Sequence, residues 1–176
     1  MADNIIVLSG KQFSGKDTVA KILLKEFPSF RRIGLGDSIK LEYSKRTGLS
    51  FDEIEKNKPK YRPDLIALGD EGRAKDPDFW LKFVVNQDGN IIVPDVRMPR
   101  EYELFRNNGA FCIRVEASHE ARSKRGEIVK SDDMTEVALD EINDWDYVIQ
   151  NETTYDDLVN NAKQLVTLLQ KRFAKV

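Results

Sequence analysis

The sequence predicts an α/β fold, a three-layer sandwich with a five-stranded parallel sheet covered by helices on both faces. Three observations lead there. Short apolar runs alternate with helical patterns along the whole chain. Three of the runs are continuously apolar, as strands buried on both faces are. The first run opens directly into Gly10-Lys11-Gln12-Phe13-Ser14-Gly15-Lys16-Asp17, a glycine loop followed by a helical pattern.

The strands expected are Ile5 to Leu8, Arg31 to Leu35, Ile91 to Val93, Phe111 to Val115 and Tyr147 to Ile149. The first helix runs from about Gly15 to Phe27 and stops before Pro28. Asp37 caps a helix through Lys45 that ends at Gly48, and Ser50 with Glu53 makes a capping-box pattern. Pro63 to Lys75 reads as a further helix, and Asp76-Pro77 caps and starts the next. Pro99 to Asn108 closes at Gly109, a residue suited to a left-handed cap. A last helix from about Thr154 carries Leu158, Leu165, Leu168 and Leu169 on one stripe. Residues 37–85 hold no strand and form a helical insert, and the basic stretch at 117–133 follows a strand where a lid would sit. A chain of 176 residues is one domain of this kind.

Composition narrows the class. Hydrophobic residues make up 40% and charged residues 33%, the balance of a soluble globular protein. The 28 basic and 30 acidic side chains give a net charge of −2, which argues against binding a nucleic-acid polymer. The single cysteine, Cys112, excludes an internal disulfide and fits a reducing compartment. The single histidine, His119, excludes histidine metal clusters and reads as a helix-start residue. With no membrane-spanning run and no signal-peptide pattern, the cytoplasm is the expected location. A monomer or a homodimer fits equally.

The glycine loop has the spacing G-x-x-x-x-G-K of a P-loop. Its glycines allow a tight turn around a phosphate chain, and its N–H groups and the following helix N-terminus attract the anion. Gly10, Lys11, Ser14, Gly15, Lys16, Asp17 and Thr18 are the nucleotide-binding candidates, with Lys16 reaching the β- and γ-phosphates. Asp17 stands where a hydroxyl usually meets Mg²⁺. Either its carboxylate approaches the metal or Thr18 substitutes.

In a parallel sheet the carboxyl ends of the strands share one edge. Asp95 lies there after Ile91-Ile92-Val93-Pro94, able to hold Mg²⁺ or orient an acceptor, and Arg97 follows as a phosphate fork. The insert adds Lys40, Arg62 and Arg73, which with Arg97 could clamp a second anion, and Asp37 is a further substrate-binding candidate. Arg122 and Arg125, three apart, share a helical face in the lid segment and could neutralise a transferring phosphoryl group. No nucleophile–base pair is evident, and an acceptor phosphate oxygen would need none. A GTPase switch would require N-K-x-D, but Asn57-Lys58-Pro59-Lys60 lacks the aspartate. A nucleotide-binding protein without catalysis is the remaining non-enzyme alternative.

The stretch Ser9 to Asp17 resembles the S-G-x-x-x-S-G-K-D loop of bacteriophage deoxynucleoside monophosphate kinases and of animal-type phosphomevalonate kinases. Ile92-Val93-Pro94-Asp95-Val96-Arg97 is similar to the I-V-P-D-T-R of the phage enzymes. So are Asp132-Asp133-Met134-Thr135-Glu136 and Asp146 to Asn151 to their closing region. Leu41-Glu42-Tyr43, Gly48-Leu49-Ser50-Phe51 and Gly69-Asp70-Glu71-Gly72-Arg73 resemble phosphomevalonate kinase stretches, as do Arg122 and Arg125-Gly126. That family has two arginines where this chain has Arg97 and Met98. Dephospho-coenzyme A kinase is a more distant resemblance. What these resemblances imply is an ATP- and Mg²⁺-dependent kinase acting on a small phosphomonoester. A (deoxy)nucleoside monophosphate is the first acceptor expected and phosphomevalonate the second. Lys16→Ala is then expected to abolish phosphoryl transfer in a coupled ADP-release assay while circular dichroism stays unchanged; near-normal turnover would remove the P-loop from the reading.

Overall fold

The computed structural model describes residues 2–173. Strands β1 (Asn4–Ser9), β2 (Phe30–Arg32), β3 (Asn90–Val93), β4 (Phe111–Glu116) and β5 (Tyr147–Gln150) form one sheet in the order β2-β3-β1-β4-β5. Every pairing is parallel, with Val7 opposite Val93 on one side and Cys112 on the other. Along β1 the side chains alternate between two cores. Ile6 and Leu8 pack with Val19 and Leu23 of α1 (Lys16–Glu26) and Leu158, Leu165 and Leu169 of α9 (Tyr155–Phe173). Ile5 and Val7 pack on the opposite face with Val84 of α5 (Phe79–Val85) and with Tyr102 and Phe105 of α6 (Pro99–Asn107). Both faces are therefore covered, which is why these strands carry no polar alternation. Cys112 is buried in β4, and burial pushes its thiol up to about 11.

Since α1 follows β1 on one face and α6 follows β3 on the other, the chain leaves these two neighbouring strands in opposite directions. A crevice opens at their carboxyl ends. The helical segment is built from α2 (Leu35–Thr47), α3 (Phe51–Lys56), α4 (Lys58–Lys75) and α5. Two short helices, α7 (His119–Ser123) and α8 (Met134–Val137), stand between β4 and β5. Among the described residues no helix is long and apolar enough to cross a membrane.

Several boundaries differ from those the sequence suggests. The second strand spans Phe30–Arg32 rather than Arg31 to Leu35, because Gly34 already caps α2. Asp37 is consequently the third residue of that helix, and its carboxylate reaches back to accept the Gly34 N–H at 2.9 Å. Gly48 does end α2, in the left-handed conformation at φ 75°. The Ser50 hydroxyl accepts the Glu53 N–H, as the capping pattern expects. Helix α4 starts at Lys58 with Pro59 in its first turn, leaving Pro63 inside the helix. The helix thus begins five residues before the Pro63 start read from the sequence, because Pro59 already fills a first-turn position that needs no N–H. Asp76 closes α4 instead of opening α5, whose cap is Asp78. On α9 the buried stripe runs Leu158, Ala162, Leu165, Val166 and Leu169, and Leu168 lies off it, exposed.

Leu165 is fully buried between α9 and the sheet. Leu165→Ala is expected to cost about 2–5 kcal/mol in urea unfolding, the range for an unrelaxed cavity; a loss below roughly 1 kcal/mol would place α9 outside the cooperative core.

Candidate active site

The loop between β1 and α1 is held by close contact. A Cβ on Gly10 would lie 2.4 Å from Ser14 Oγ and 2.6 Å from the Val115 carbonyl, so no side chain fits there. Gly15 has φ 99°, and its Cβ would meet Asn151 Nδ2 at 2.5 Å. Phe13 also takes a positive φ, 60°, a conformation that non-glycine residues seldom adopt. Three consecutive loop carbonyls are bound from outside. Arg122 Nη1 donates to Gln12 O at 3.3 Å, Arg125 Nη1 to Phe13 O at 3.1 Å and Asn151 Nδ2 to Ser14 O at 2.8 Å. With the carbonyls engaged, the N–H groups of Phe13 and Gly15 bond no protein acceptor among the described residues.

A cavity of about 400 Å³ opens in front of this loop, lined by Lys11, Ser14, Gly15, Lys16, Asp17, Thr18, Arg97 and Arg125 among others. Lys16 is largely buried at the start of α1, and its Nζ donates to the exposed Asp17 carboxylate at 3.1 Å. Ser14 Oγ is buried and has no hydrogen-bond partner among the described residues. Lys11 turns its ammonium outward, to Asp140 at 2.6 Å.

A second cavity, of about 500 Å³, lies under the helical segment. Asp37, Lys40, Arg62, Arg73 and Asp95, all singled out in the sequence, share its lining with Lys58, Ile39, Leu65 and Ile66. Arg97, grouped with them from the sequence, lines the loop cavity instead. Lys40 donates to Asp37 at 2.8 Å and Glu55 at 2.5 Å. Burial works against charge on both Lys40 and Asp37. Their mutual hydrogen bond, with the one Lys40 donates to Glu55 and the one Asp37 accepts from the Gly34 N–H, outweighs it, so the lysine is raised and the aspartate lowered. Arg73 projects over Gly69 and donates to Asp70 at 2.7 Å.

Asp95 lines the second cavity and lies near enough to Lys16 of the first to feel its charge. Both its oxygens accept the Leu35 N–H, at 3.0 Å, which ties β3 to the start of α2. Burial holds its carboxyl above the usual aspartate range, against the pull of that N–H and of the charges on Arg32 and Lys16.

Three residues given no role from the sequence shape this region. Glu101 accepts the N–H groups of Arg97 and Met98 at 2.8 and 3.0 Å. Glu136, buried, accepts the Gln12 N–H at 2.9 Å and Arg97 Nη1 at 3.0 Å. Asn151 holds the loop as described. The signal for Glu101 is a glutamate three residues into a helix; Glu136 and Asn151 are brought near the loop only by the sheet order.

The family model for phosphomevalonate kinase matches residues 8–111, and that for deoxynucleotide monophosphate kinase matches residues 73–162. The chain belongs to both of these P-loop kinase families. A phosphomevalonate kinase of Drosophila melanogaster is 29% identical over 170 residues, covering 86% of this chain and 90% of its own. An uncharacterized protein, ORF77, of Ictalurid herpesvirus 1 is 24% identical over 169 residues, covering 88% and 68%. Among solved structures, a gluconokinase from Sinorhizobium meliloti superposes with TM-score 0.56 at 13% identity, covering 97% of this chain and 95% of that one. A shikimate kinase from Aquifex aeolicus gives TM-score 0.50 at 16% identity, covering 97% and 98%. These two show the P-loop kinase fold.

Ionised Asp95 is a stability cost in this kinase. Its folded pKa lies above its unfolded one, so the cost is full above the raised folded value and vanishes below the unfolded value. Asp95→Asn keeps an oxygen for the Leu35 N–H and removes the charge. The variant is expected to melt at or above the wild-type temperature at pH 7, the gap closing as pH falls through the Asp95 range. A wild type more stable than the variant at pH 7 would contradict this.

Proposed function

We propose that the chain transfers the γ-phosphoryl group of ATP to a small phosphomonoester. One observation carries the reading: a loop cavity with Lys16 and a cationic cavity beside α2 and α4 open at the same sheet edge, and Asp95 of the second is near enough to Lys16 of the first to feel its charge. That is the arrangement a donor and an acceptor phosphate require.

On this reading the loop amides and Lys16 hold the ATP phosphates. Arg125 lines both the loop cavity and an adjoining one of about 280 Å³ with Glu152 and Thr153, a place for the nucleoside. Residues 117–133 act as the lid and residues 37–85 as the acceptor-binding part. Lys40, Arg62 and Arg73 hold the acceptor, and Arg97, Arg122 and Arg125 balance charge at the donor. Magnesium binds proteins through one or two carboxylates plus phosphate oxygens. Asp17 lines the loop cavity and Asp95 the second one. Asp17 and Asp95 would hold the ion, which supplies charge neutralisation on the phosphates when bound. An acceptor phosphate oxygen is already ionised near neutral pH, so the side chains need only align it and exclude water.

For the acceptor, the lining of the second cavity favours the candidate placed second from the sequence. The lining joins four cations to the apolar Ile39, Leu65 and Ile66 and contains no ring. Of the aromatics nearby, Tyr43 bonds Asp64, Tyr61 bonds Glu53 and Trp80 bonds the Gly69 carbonyl, while Phe13 lines the loop cavity rather than this one. An aliphatic phosphomonoester with a second anionic group suits this lining, which supports phosphomevalonate, the acceptor named in the Drosophila relative. A deoxynucleoside monophosphate is the second reading, favoured by the family match over 73–162, which includes Arg73, Asp95 and Arg97.

A coupled ADP-release assay with Mg·ATP separates these acceptors. Turnover is expected on phosphomevalonate. Arg73→Ala should raise the acceptor KM about ten- to a hundredfold, the worth of a charge-assisted hydrogen bond, with the ATP KM within about twofold. Turnover confined to deoxynucleoside monophosphates would establish the second reading. Silence on both, with ATP bound, would overturn the acceptor assignment.

A further inference from the structure

Arg97 lines the loop cavity, and acidic side chains fix both of its ends. Its backbone N–H is held by Glu101 at 2.8 Å and its guanidinium by Glu136 at 3.0 Å. The Glu136 side chain is 2% exposed, whereas that of Arg97 is 33% exposed. The other Glu136 oxygen accepts the Gln12 N–H at 2.9 Å, inside the P-loop. Gln12 is also paired through its side chain, which donates to Val129 O at 2.7 Å and accepts the Val129 N–H at 3.3 Å. Its carbonyl is taken by Arg122. One buried carboxylate thus ties the phosphate loop to the arginine that lines the loop cavity.

We propose that Glu136 is a positioning residue for phosphoryl transfer, presenting Arg97 to the donor phosphates. The proposal rests on the reading that the loop cavity takes ATP. An arginine side chain has several free rotors, and immobilising it before the ligand arrives removes that cost from the reactive complex. Among the described residues Glu136 makes the one bond to the Arg97 guanidinium, through Nη1. The remaining N–H donors are left for an anion. The carboxylate suits the task because it accepts on both oxygens. A glutamine of the same shape has one acceptor oxygen and would set its NH₂ against either the Gln12 N–H or the guanidinium. Helix α8, capped by the Asp133 side chain on the Thr135 N–H, carries Glu136 into this place.

The test is a double-mutant cycle of Glu136→Gln and Arg97→Ala in the full-length protein. Steady-state transfer, the affinity for a fluorescent ATP analogue and melting temperature are measured for all four proteins. Glu136→Gln is expected to stay folded at the assay temperature and lose roughly ten- to a hundredfold in kcat, the effect of one lost charge-assisted bond. The double variant should fall within about twofold of Arg97→Ala alone, because Glu136 acts through that arginine. A structural role would instead lower the melting temperature and leave the two kinetic losses multiplicative, and that result, or wild-type kinetics for Glu136→Gln, overturns the proposal. If Glu136→Gln does not fold, Glu136→Asp replaces it, retaining charge with a shorter reach, under the same criteria. A wild type that binds the analogue but transfers to no acceptor counts against the kinase reading, and the cycle is then judged on analogue affinity. A wild type that does not bind the analogue overturns both.

Discussion

The close approach of the β1–α1 loop to the ends of β4 and β5 is the constraint on which the site depends. Gly10 lies so near the Val115 carbonyl, and Gly15 so near Asn151, that a methyl group at either position would displace the loop. This compression makes the loop a rigid part of the sheet edge. Parallel pairing of β1 with β4, and of β4 with β5, brings both contacts into register. The hydrophobic alternation on β1 is therefore linked to the position of Lys16 by a few backbone contacts.

Hydrogen bonding then gives the loop its polarity. Arg122, Arg125 and Asn151 occupy the carbonyls of Gln12, Phe13 and Ser14 from the outer side. The arginines contribute twice: their donors orient the loop, and their positive charge stays beside the cavity. The 117–133 segment is anchored on this frame by Gln12 paired with Val129 and by Gly126 lying against the Phe13 ring. Buried Glu136 gives the frame its one deep negative charge, balanced by Arg97 and a loop amide. An ion pair of this kind is a weak source of stability, since desolvation offsets much of its attraction, but it specifies geometry well.

The second cavity follows a different logic. Its charges are supplied by α2 and α4, and its floor by Asp95 at the end of β3. The bond from Leu35 to Asp95 couples the two parts, so the helical segment and the sheet edge meet at one carboxylate. Partial burial raises that carboxyl, a cost retained at the place where donor and acceptor would meet.

Local sequence determined much of this chain, because local physics suffices for it. Continuous apolar runs specify buried strands, the two glycines and Lys16 specify the loop, and Gly48 and Ser50 specify helix ends. The candidates Asp37, Lys40, Arg62, Arg73 and Asp95 were legible as charges near one sheet edge, and the fold gathers them in one cavity. Where a helix could start at Gly34 or Asp37, packing made the choice. Tertiary structure alone decided that Arg97 faces the loop cavity, that no aromatic ring lines the second one, and that Glu136 and Asn151 reach the loop. The reach of Glu136 and Asn151 depends on contacts between residues more than a hundred positions apart in the chain, joined by the order of five strands, and no local pattern encodes which distant side chains that order will bring together.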